Sequence, residues 1–359
     1  MTKNINTTQL PASWKRRKTH VERAELYGLK RYPEAETAFR KAISQYHLFI
    51  SSDSEDPNGA VLHSNLGLVL VDRKKLDEAS AECRLAIRLN ADLHYAHNNL
   101  GVVFAAQKKW AEAEISARKA IQLRGDHPFV YVNLGLALLK QNKVAEANLA
   151  CQEALRLDQG LAVAHTLRGM IAKKKKKYPE AAESLRTAIQ LDSTYPDAHR
   201  ELALVLLKLD KPDQAEASSR EAVRLAPDDP NGRHGLGFVL GQRHKYAEAV
   251  LEYRKAIDLA PEDATGYSGL ALVYEMQNKW DAAREGYRKA IRLQPKEVEF
   301  RRCLAQTFVL EGKDEEAIIE GSVPTKRSSS CVVTSFIRLD LRRWWGNCDT
   351  RLQFLWHVG

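Results

Sequence analysis

The chain has 359 residues, of which 44% are hydrophobic and 28% are charged, with only 12 prolines. This composition favours a soluble, helix-rich protein over a disordered one, and no run of 18 uncharged apolar residues predicts a membrane span. The net charge of +9 lies at the ends, because residues 1–20 have five basic and no acidic residues and residues 321–359 have six basic and two acidic ones. Residues 21–320 therefore hold 44 of each sign, so their net charge gives no support for binding a nucleic-acid backbone.

The N-terminal residues are basic but contain no apolar core, so they do not predict a secretory signal. We therefore expect a cytoplasmic protein. The cluster from Lys15 to Lys18 leaves nuclear import open as an alternative to a solvated tail. The cysteines have no CxxC pair and no metal-ligand spacing, which favours free thiols in a reducing compartment; they are Cys83, Cys151, Cys303, Cys331 and Cys348.

Small residues recur every 34 residues along most of the chain. One register contains Gly67, Gly101, Gly135, Gly169, Ala203, Gly237, Ala271 and Ala305. Two further registers run from Ala79 to Ala317 and from Ala86 to Ala290, with alanine at every step. Glycine inside a helix costs roughly 1 kcal/mol relative to alanine, so its recurrence indicates helices in close contact.

Each 34-residue unit predicts two amphipathic helices and a short connection. In the unit 230–263, Leu236 and Leu240 follow helical spacing in the first half, as Ala249 and Tyr253 do in the second. A leucine closes the second helix of successive units, as in Leu89, Leu123, Leu157, Leu191, Leu225, Leu259 and Leu293. With position 1 placed at residue 60 and every 34 residues thereafter, the three small registers fall at positions 8, 20 and 27.

These small positions match those of the tetratricopeptide repeat, and the sequence resembles that family over residues 16–320. The resemblance implies an all-α fold, a right-handed superhelical α-solenoid of about nine helix-turn-helix repeats. We predict a basic N-terminal tail over residues 1–15, the repeat array over 16–320 and an irregular C-terminal tail over 321–359.

A degenerate unit precedes the regular ones, because Ala35, Phe39 and Ala42 match the second-helix pattern. Ala42 lies 25 residues before Gly67, where an uninterrupted array would give 15, so ten residues are inserted. We place the insertion at about residues 50–59, where a polar stretch rich in turn formers predicts a longer surface loop.

The helical period is lost in residues 321–359, where Pro324 replaces the alanine of position 27. Two interpretations stay open. One is a basic aromatic tail that contacts a membrane surface or nucleic acid through the run from Arg342 to Trp345. The other, which we favour, is that residues 321–359 are not a selected protein sequence, for example because the reading frame has shifted, or that they are disordered.

The repeats offer no constellation for catalysis, so we expect a protein that is not an enzyme, with no catalytic residues, no cofactor and no metal site. Histidines recur at position 4, as His63, His97, His165 and His199, but equivalent helices lie on the order of 10 Å apart, too far to share a metal ion. We expect packing residues there. Cys83 and Cys151, both at position 24, predict buried thiols.

Lysine occupies position 16 of every regular unit, as Lys75, Lys109, Lys143, Lys177, Lys211, Lys245, Lys279 and Lys313. This row predicts a solvated ridge beside the turn between the two helices. A salt-sensitive contact with an acidic partner along this edge is the alternative.

The resemblance to tetratricopeptide repeats implies a concave groove lined by positions 2, 5, 6, 9 and 12 of the first helices. Position 6 carries Asn65, Asn99 and Asn133, which resembles the asparagine ladder of O-linked N-acetylglucosamine transferase, whose amides hold the backbone of an extended peptide. Tyr95 and Phe129 at position 2 add apolar surface that suits a peptide or a partner helix.

Three further residues complete the predicted peptide-binding groove. Asn98 lies at position 5 in its front half, and Arg200 and His234 lie at the same position farther along, where the groove becomes more charged. The leading prediction is a non-catalytic scaffold that binds a protein segment there and takes no small-molecule substrate. The alternative is the substrate-recognition arm of a truncated glycosyltransferase similar to O-linked N-acetylglucosamine transferase. Binding of nucleic acid or membrane would depend on the basic tails, and we disfavour it.

Overall fold

The computed structural model describes residues 31–49 and 57–321, and these residues form 17 α-helices and no strand. The chain divides into two compact units, residues 1–174 (unit 1) and 175–359 (unit 2), which are described separately. In unit 1 the helices are α1 (Tyr32–Phe49), α2 (Pro57–Asp72), α3 (Leu76–Leu89), α4 (His94–Ala106), α5 (Trp110–Leu123), α6 (Pro128–Lys140), α7 (Val144–Leu157) and α8 (Ala162–Lys174).

Unit 2 repeats the same alternation of 13-residue and 14-residue helices over most of its length. Its helices are α9 (Tyr178–Leu191), α10 (Pro196–Lys208), α11 (Pro212–Leu225), α12 (Pro230–Gln242), α13 (Tyr246–Leu259), α14 (Ala264–Met276), α15 (Trp280–Leu293), α16 (Val298–Glu311) and α17 (Asp314–Gly321). The predicted all-α repeat fold is confirmed.

Helices pack in consecutive pairs within each unit. We call the first helix of a repeat its A helix (α2, α4 and so on) and the second its B helix. Each described pair, such as α2 with α3 or α12 with α13, forms a hairpin. A helices also contact the next A helix directly, as α2 contacts α4 and α10 contacts α12. The A helices therefore form a layer of their own, which is the α-solenoid arrangement.

The turn between the A and B helices has the same backbone conformation in successive repeats. Position 15 adopts a positive φ in Lys74, Lys108, Asn142, Lys176, Asp210, His244, Asn278 and Gly312. Only the last is glycine, so seven L-residues occupy the left-handed region, which costs a residue such as lysine about 1 kcal/mol. The sequence pattern did not reveal this turn, because its residues share no single type.

Replacing Lys176 by glycine is expected to raise the free energy of unfolding by about 0.5–1 kcal/mol, because glycine tolerates its φ of 59°. The converse change, Gly312→Ala, is expected to lower it by about 1 kcal/mol, because φ there is 84°. Urea denaturation followed by circular dichroism measures both. Equal effects of the same sign would contradict this account of the turn.

The recurrent small residues lie where helices approach most closely, as predicted. A Cβ atom on Gly67 would lie 2.4 Å from the Sγ atom of Cys83, which real Cβ contacts do not allow. Cys83 and Cys151 are both buried, and burial raises the pKa of the Cys83 thiol to about 12 and that of Cys151 to about 11. The prediction of buried thiols at position 24 is confirmed for both.

The predicted insertion is partly helical. Helix α1 continues to Phe49 and α2 begins at Pro57, so residues 57–59, which we assigned to a loop, belong to a helix. Gly59 was taken for a turn former, but a Cβ atom there would lie 2.7 Å from Cε1 of Tyr46. This glycine allows the extended ends of α1 and α2 to touch. Residues 50–56 lie outside the described residues.

Three position-16 lysines connect consecutive repeats through a buried glutamate on the preceding B helix. Lys75 Nζ lies 2.7 Å from Glu36 Oε1, Lys143 Nζ lies 2.8 Å from Glu114 Oε2, and Lys245 Nζ lies 2.9 Å from Glu216 Oε1. An arginine four residues after each glutamate completes the cluster: Arg40, Arg118 and Arg220. The prediction of a purely solvated ridge is therefore wrong at these three lysines.

The N-terminal tail with its Lys15–Lys18 cluster lies outside the described residues, as does the C-terminal segment after Gly321 with the two interpretations given to it. Within the described residues, no helix is both long enough and apolar enough to cross a membrane.

Candidate functional site

The predicted groove surface of each unit consists of positions 2, 5, 6, 9 and 12 of its A helices, and we add to it position 34 of the connecting turn. We call it the A face. In unit 1, a chain of side-chain amides crosses this face. Asn133 Nδ2 donates to Asn98 Oδ1 at 2.9 Å, Asn98 Nδ2 donates to Asn99 Oδ1 at 3.4 Å, and Asn99 Nδ2 donates to Ser64 Oγ at 2.9 Å. The chain links α6, α4 and α2, and so spans three repeats.

The predicted asparagine ladder is thus a connected network and not three equivalent amides. Asn99 is buried, and its amide nitrogen also donates to the Ser64 carbonyl at 3.3 Å. Asn133 is half-buried and uses its nitrogen on Asn98. Asn65 is half-buried, and its side-chain amide forms no hydrogen bond with the described residues. Sequence spacing placed these residues on one face but could not show which amides bond to one another.

Two exposed aromatic side chains occupy position 2 of adjacent repeats. Tyr95 is 43% exposed and Phe129 is 48% exposed, a large fraction for aromatic residues. Each lies beside a histidine ring: the Tyr95 centroid is 3.8 Å from that of His94, and the Phe129 centroid is 5.8 Å from that of His127. Both aromatics are therefore held at the surface on the predicted face.

The positions that define the A face beside these aromatics carry apolar or neutral polar side chains. Position 9 supplies three half-buried residues, Leu68, Val102 and Leu136. Across the repeats 60–93, 94–127 and 128–161, none of the positions that define the face has a charged side chain. Such a surface can bind apolar side chains while its amides meet backbone groups, and the Arg124–Asp126 ion pair of the connecting turn adds charge close to Tyr95.

Arg200 lies on the A face of unit 2 among three carboxylates. Its guanidinium is 3.0 Å from Asp197, 3.7 Å from Glu201 and 3.9 Å from Asp229, and the side chain is 21% exposed. Burial opposes the charge of Arg200, but these carboxylates outweigh burial and raise its pKa. Gly235 leaves space for this side chain, since a Cβ atom there would lie 3.4 Å from Arg200 Cγ. Arg200 is therefore firmly paired, which the sequence did not indicate.

His234 is neutral at physiological pH. Burial, partly offset by Asp263, lowers the pKa of its imidazole to about 4. The ring meets Tyr253 edge-on, with 5.2 Å between centroids. The sequence placed His234 in a charged part of the groove, but the residue itself carries no charge there.

The position-4 histidines have a structural role that the sequence reasoning only partly anticipated. Nε2 of His97, His165 and His199 lies 2.9 to 3.2 Å from a carbonyl oxygen six residues earlier. Tyr131 and Arg233, at the same position, donate to the equivalent carbonyl. These five position-4 residues thus hold the turn between repeats, whereas Nδ1 of His63, at the same position, lies 2.6 Å from Glu82 Oε2. Among the described residues no group of three or more histidine, cysteine or acidic side chains could hold a metal ion.

These features define an α-solenoid of helix-turn-helix repeats. The chain belongs to the tetratricopeptide repeat family: models of that repeat match residues 25–94, 96–126, 197–229 and 264–297. A further model, described as TPR repeat, matches residues 169–210 and 240–278. Together the matched ranges cover more than half of the chain.

Solved structures show the same fold. The crystal structure of the APC/C hetero-tetramer Cut9-Hcn1 is 16% identical with a TM-score of 0.64, and the match covers 80% of this chain and 55% of that one. This chain thus spans about half the length of that relative. The human IFIT1 dimer with m7Gppp-AAAA is 18% identical with a TM-score of 0.59, covering 83% of this chain and 78% of that one. No curated protein sequence matches.

Proposed function

We propose that this protein is a non-catalytic scaffold that binds a segment of another protein on the A face of unit 1. The observation that carries the proposal is the exposure of Tyr95 and Phe129 at equivalent positions of adjacent repeats. Aromatic side chains of this kind dominate the affinity of protein interfaces when a partner covers them. The tetratricopeptide family, whose repeats support protein interaction scaffolds, favours the same function.

The spacing of the aromatics defines the partner. Equivalent positions of neighbouring helices lie about 10 Å apart. Two apolar side chains separated by seven residues on a helix, or by three residues in a polyproline II segment, lie on one side of the segment and span about the same distance. Because the positions that define the face carry no charged side chain, the segment between these two side chains is expected to be mostly uncharged.

The amides at the edge of the aromatics suit a peptide backbone. Asn65 has both its donor and its acceptor available, and the Oδ1 atom of Asn133 accepts no hydrogen bond from the described residues. An amide can pair with a backbone N–H or C=O irrespective of sequence. We therefore assign affinity to Tyr95 and Phe129, and orientation of the bound segment to Asn65 and Asn133.

A peptide-display selection on the full chain, followed by affinity measurement of the selected peptides, tests the proposal. Changing both Tyr95 and Phe129 to alanine is expected to weaken binding at least tenfold, because each anchor contributes more than about 1 kcal/mol. The matched control changes Ile115 and Leu149 to alanine. These residues are 68% and 64% exposed on B helices of the same unit, and their loss is expected to change affinity less than twofold. Equal losses in both double variants would contradict the proposal.

The glycosyltransferase alternative rests on the three position-6 asparagines. Because the amide nitrogens of Asn99 and Asn133 already donate within the protein, the described residues do not favour it over a general scaffold. The change Asn65→Ala is expected to lower the affinity for the selected peptides two- to fivefold, which is less than the loss expected when Tyr95 and Phe129 are changed to alanine.

A further inference from the structure

The A face of unit 1 carries hydrogen-bonding groups that the described residues leave unused. The side-chain amide of Asn65 forms no hydrogen bond with them, and neither does the hydroxyl of Tyr95. Asn133 uses its Nδ2 atom on Asn98 at 2.9 Å, but its Oδ1 atom accepts no hydrogen bond from the described residues. The face therefore offers donors at Tyr95 and Asn65 and acceptors at Asn65 and Asn133.

The aromatic side chains and the amides form two rows that cross the A helices. Tyr95 and Phe129 occupy position 2 of their helices, and Asn65 and Asn133 occupy position 6. Four residues along an α-helix rise about 6 Å, so the amide row runs beside the aromatic row at about that distance. A bound segment that crosses the A helices can therefore place side chains on the aromatics and its backbone against the amides.

A helical partner would leave these polar groups without hydrogen bonds. The backbone N–H and C=O groups of a helix are already bonded to one another, so they cannot pair with the Asn65 amide or the Tyr95 hydroxyl. Covering these groups without pairing them costs free energy, because they lose their hydrogen bonds to water. The unused groups therefore favour a segment whose own backbone is unpaired.

The spacing of the aromatics distinguishes between the two extended conformations that such a segment can adopt. Tyr95 and Phe129, at equivalent positions of neighbouring A helices, are separated by about 10 Å. In a β-strand, residues on one side are two or four apart and span about 7 or 13 Å, so neither spacing matches. In a polyproline II segment, residues three apart lie on one side and span about 9 Å, which does match.

We propose that the A face of unit 1 binds an uncharged polyproline II segment with prolines three residues apart. Because it names the partner of the same site, it rests on the proposed function. Proline rings pack on exposed aromatic side chains, and proline fixes φ near the polyproline II value, so little conformational entropy is lost on binding. The Tyr95 hydroxyl and the Asn65 amide donate to backbone carbonyls, and the residues between the prolines supply an N–H for Asn133 Oδ1.

Fluorescence anisotropy of the full chain with three labelled, uncharged peptides tests this inference. The first peptide has proline as its first, fourth and seventh residues among alanines and glutamines, and the second has the same composition with proline as its first, third and seventh residues. The third is a hydrocarbon-stapled helix with leucines seven residues apart. We expect the first peptide to bind at least tenfold tighter than either of the others. If the second or the third binds as tightly as the first, the inference is overturned.

Two substitutions on the face test the expected hydrogen bonds to the first peptide. Tyr95→Phe removes the hydroxyl but keeps the ring, and we expect it to lower the affinity three- to fivefold. Asn65→Asp replaces the amide donor with a carboxylate, which repels backbone carbonyls, and is expected to lower the affinity at least fivefold. Gln152→Glu, the same change of charge at an exposed residue of α7, is the control and is expected to have less than a twofold effect. Unchanged affinity in both Tyr95→Phe and Asn65→Asp would contradict the inference.

The variant with both Tyr95 and Phe129 changed to alanine separates a failure of this inference from a failure of the proposed function. If the stapled helix binds more tightly than the first peptide and this variant loses that binding, the polyproline II partner is wrong, but the A face of unit 1 still binds a partner segment. If this variant binds the selected peptides and all three designed peptides as tightly as the wild type, the proposed function fails as well. Circular dichroism checks that each variant keeps its helix content.

Discussion

Replacing Gly269 by alanine is expected to lower the free energy of unfolding by about 2 kcal/mol, although alanine is the better helix former by roughly 1 kcal/mol. A Cβ atom at this position would lie 2.2 Å from Cε1 of Tyr253. The ring cannot move aside, because on its other side a Cβ atom on Gly237 would lie only 3.0 Å from it. Tyr253 is thus fully buried between two glycines of adjacent A helices.

Two variants make this prediction specific. Gly241→Ala is the matched control on α12, since its Cβ atom would lie 3.6 Å from the nearest atom, and the substitution is expected to be neutral or stabilising. Combining Gly269→Ala with Tyr253→Leu is expected to restore part of the loss, because the smaller side chain relieves the overlap. Urea denaturation measures all three. A stabilising Gly269→Ala would contradict the packing described here.

Replacing Glu114 by glutamine is expected to lower the free energy of unfolding by about 2 kcal/mol. The carboxylate is buried and accepts hydrogen bonds from Lys143, Gln141 and Arg118 at 2.8 to 2.9 Å. Burial opposes the charge, but these donors outweigh burial and lower the pKa of Glu114 to about 2. A pKa shift of this size corresponds to about 3 kcal/mol of folding stability. We expect a smaller loss because the side chains of Arg118 and Lys143 are nearly half exposed, which weakens their attraction to Glu114.

The same carboxylate makes stability depend on pH. Because the pKa of Glu114 is lower in the folded protein than its ordinary value of 4.5, its contribution is complete above about pH 4.5 and is lost as the pH falls towards 2. The variant Glu114→Gln is expected to lose less stability over this range than the wild type. Glu112→Gln, at an exposed residue of the same helix, is the control. Parallel pH profiles for Glu114→Gln and the wild type would contradict this assignment.

The repeat fold could be predicted because its signal is periodic. Small residues recur in this register where two helices meet: a Cβ atom on Gly67 would overlap Cys83, and one on Gly101 would already touch Ala113 and Ser116, so a large side chain is excluded at both. The matching of a large side chain to particular glycines does not follow the repeat period, so the sequence pattern did not reveal it. Position 24 varies from Cys83 to Tyr253. Each side chain lies against the position-8 glycine of its own repeat, Gly67 or Gly237, but Tyr253 also lies against Gly269, at position 6 of the next repeat.

Part of the arrangement of the candidate site could be predicted for the same reason. Tyr95 and Phe129 lie exposed where the repeat positions placed them. The hydrogen bonds between Asn133, Asn98 and Asn99 join different positions of neighbouring helices, and a single register cannot show them. The neutral state of His234 could not be inferred either, because it depends on burial in the folded unit.

Site-specific photo-crosslinking tests the central claim, binding on the A face of unit 1, most directly. A photoreactive phenylalanine analogue would replace Tyr95 in one variant and Leu149, on a B helix of the same unit, in another. After irradiation with a selected peptide, we expect an adduct at position 95 and none at position 149. An adduct at position 149 alone, or equal adducts at both positions, would contradict the account.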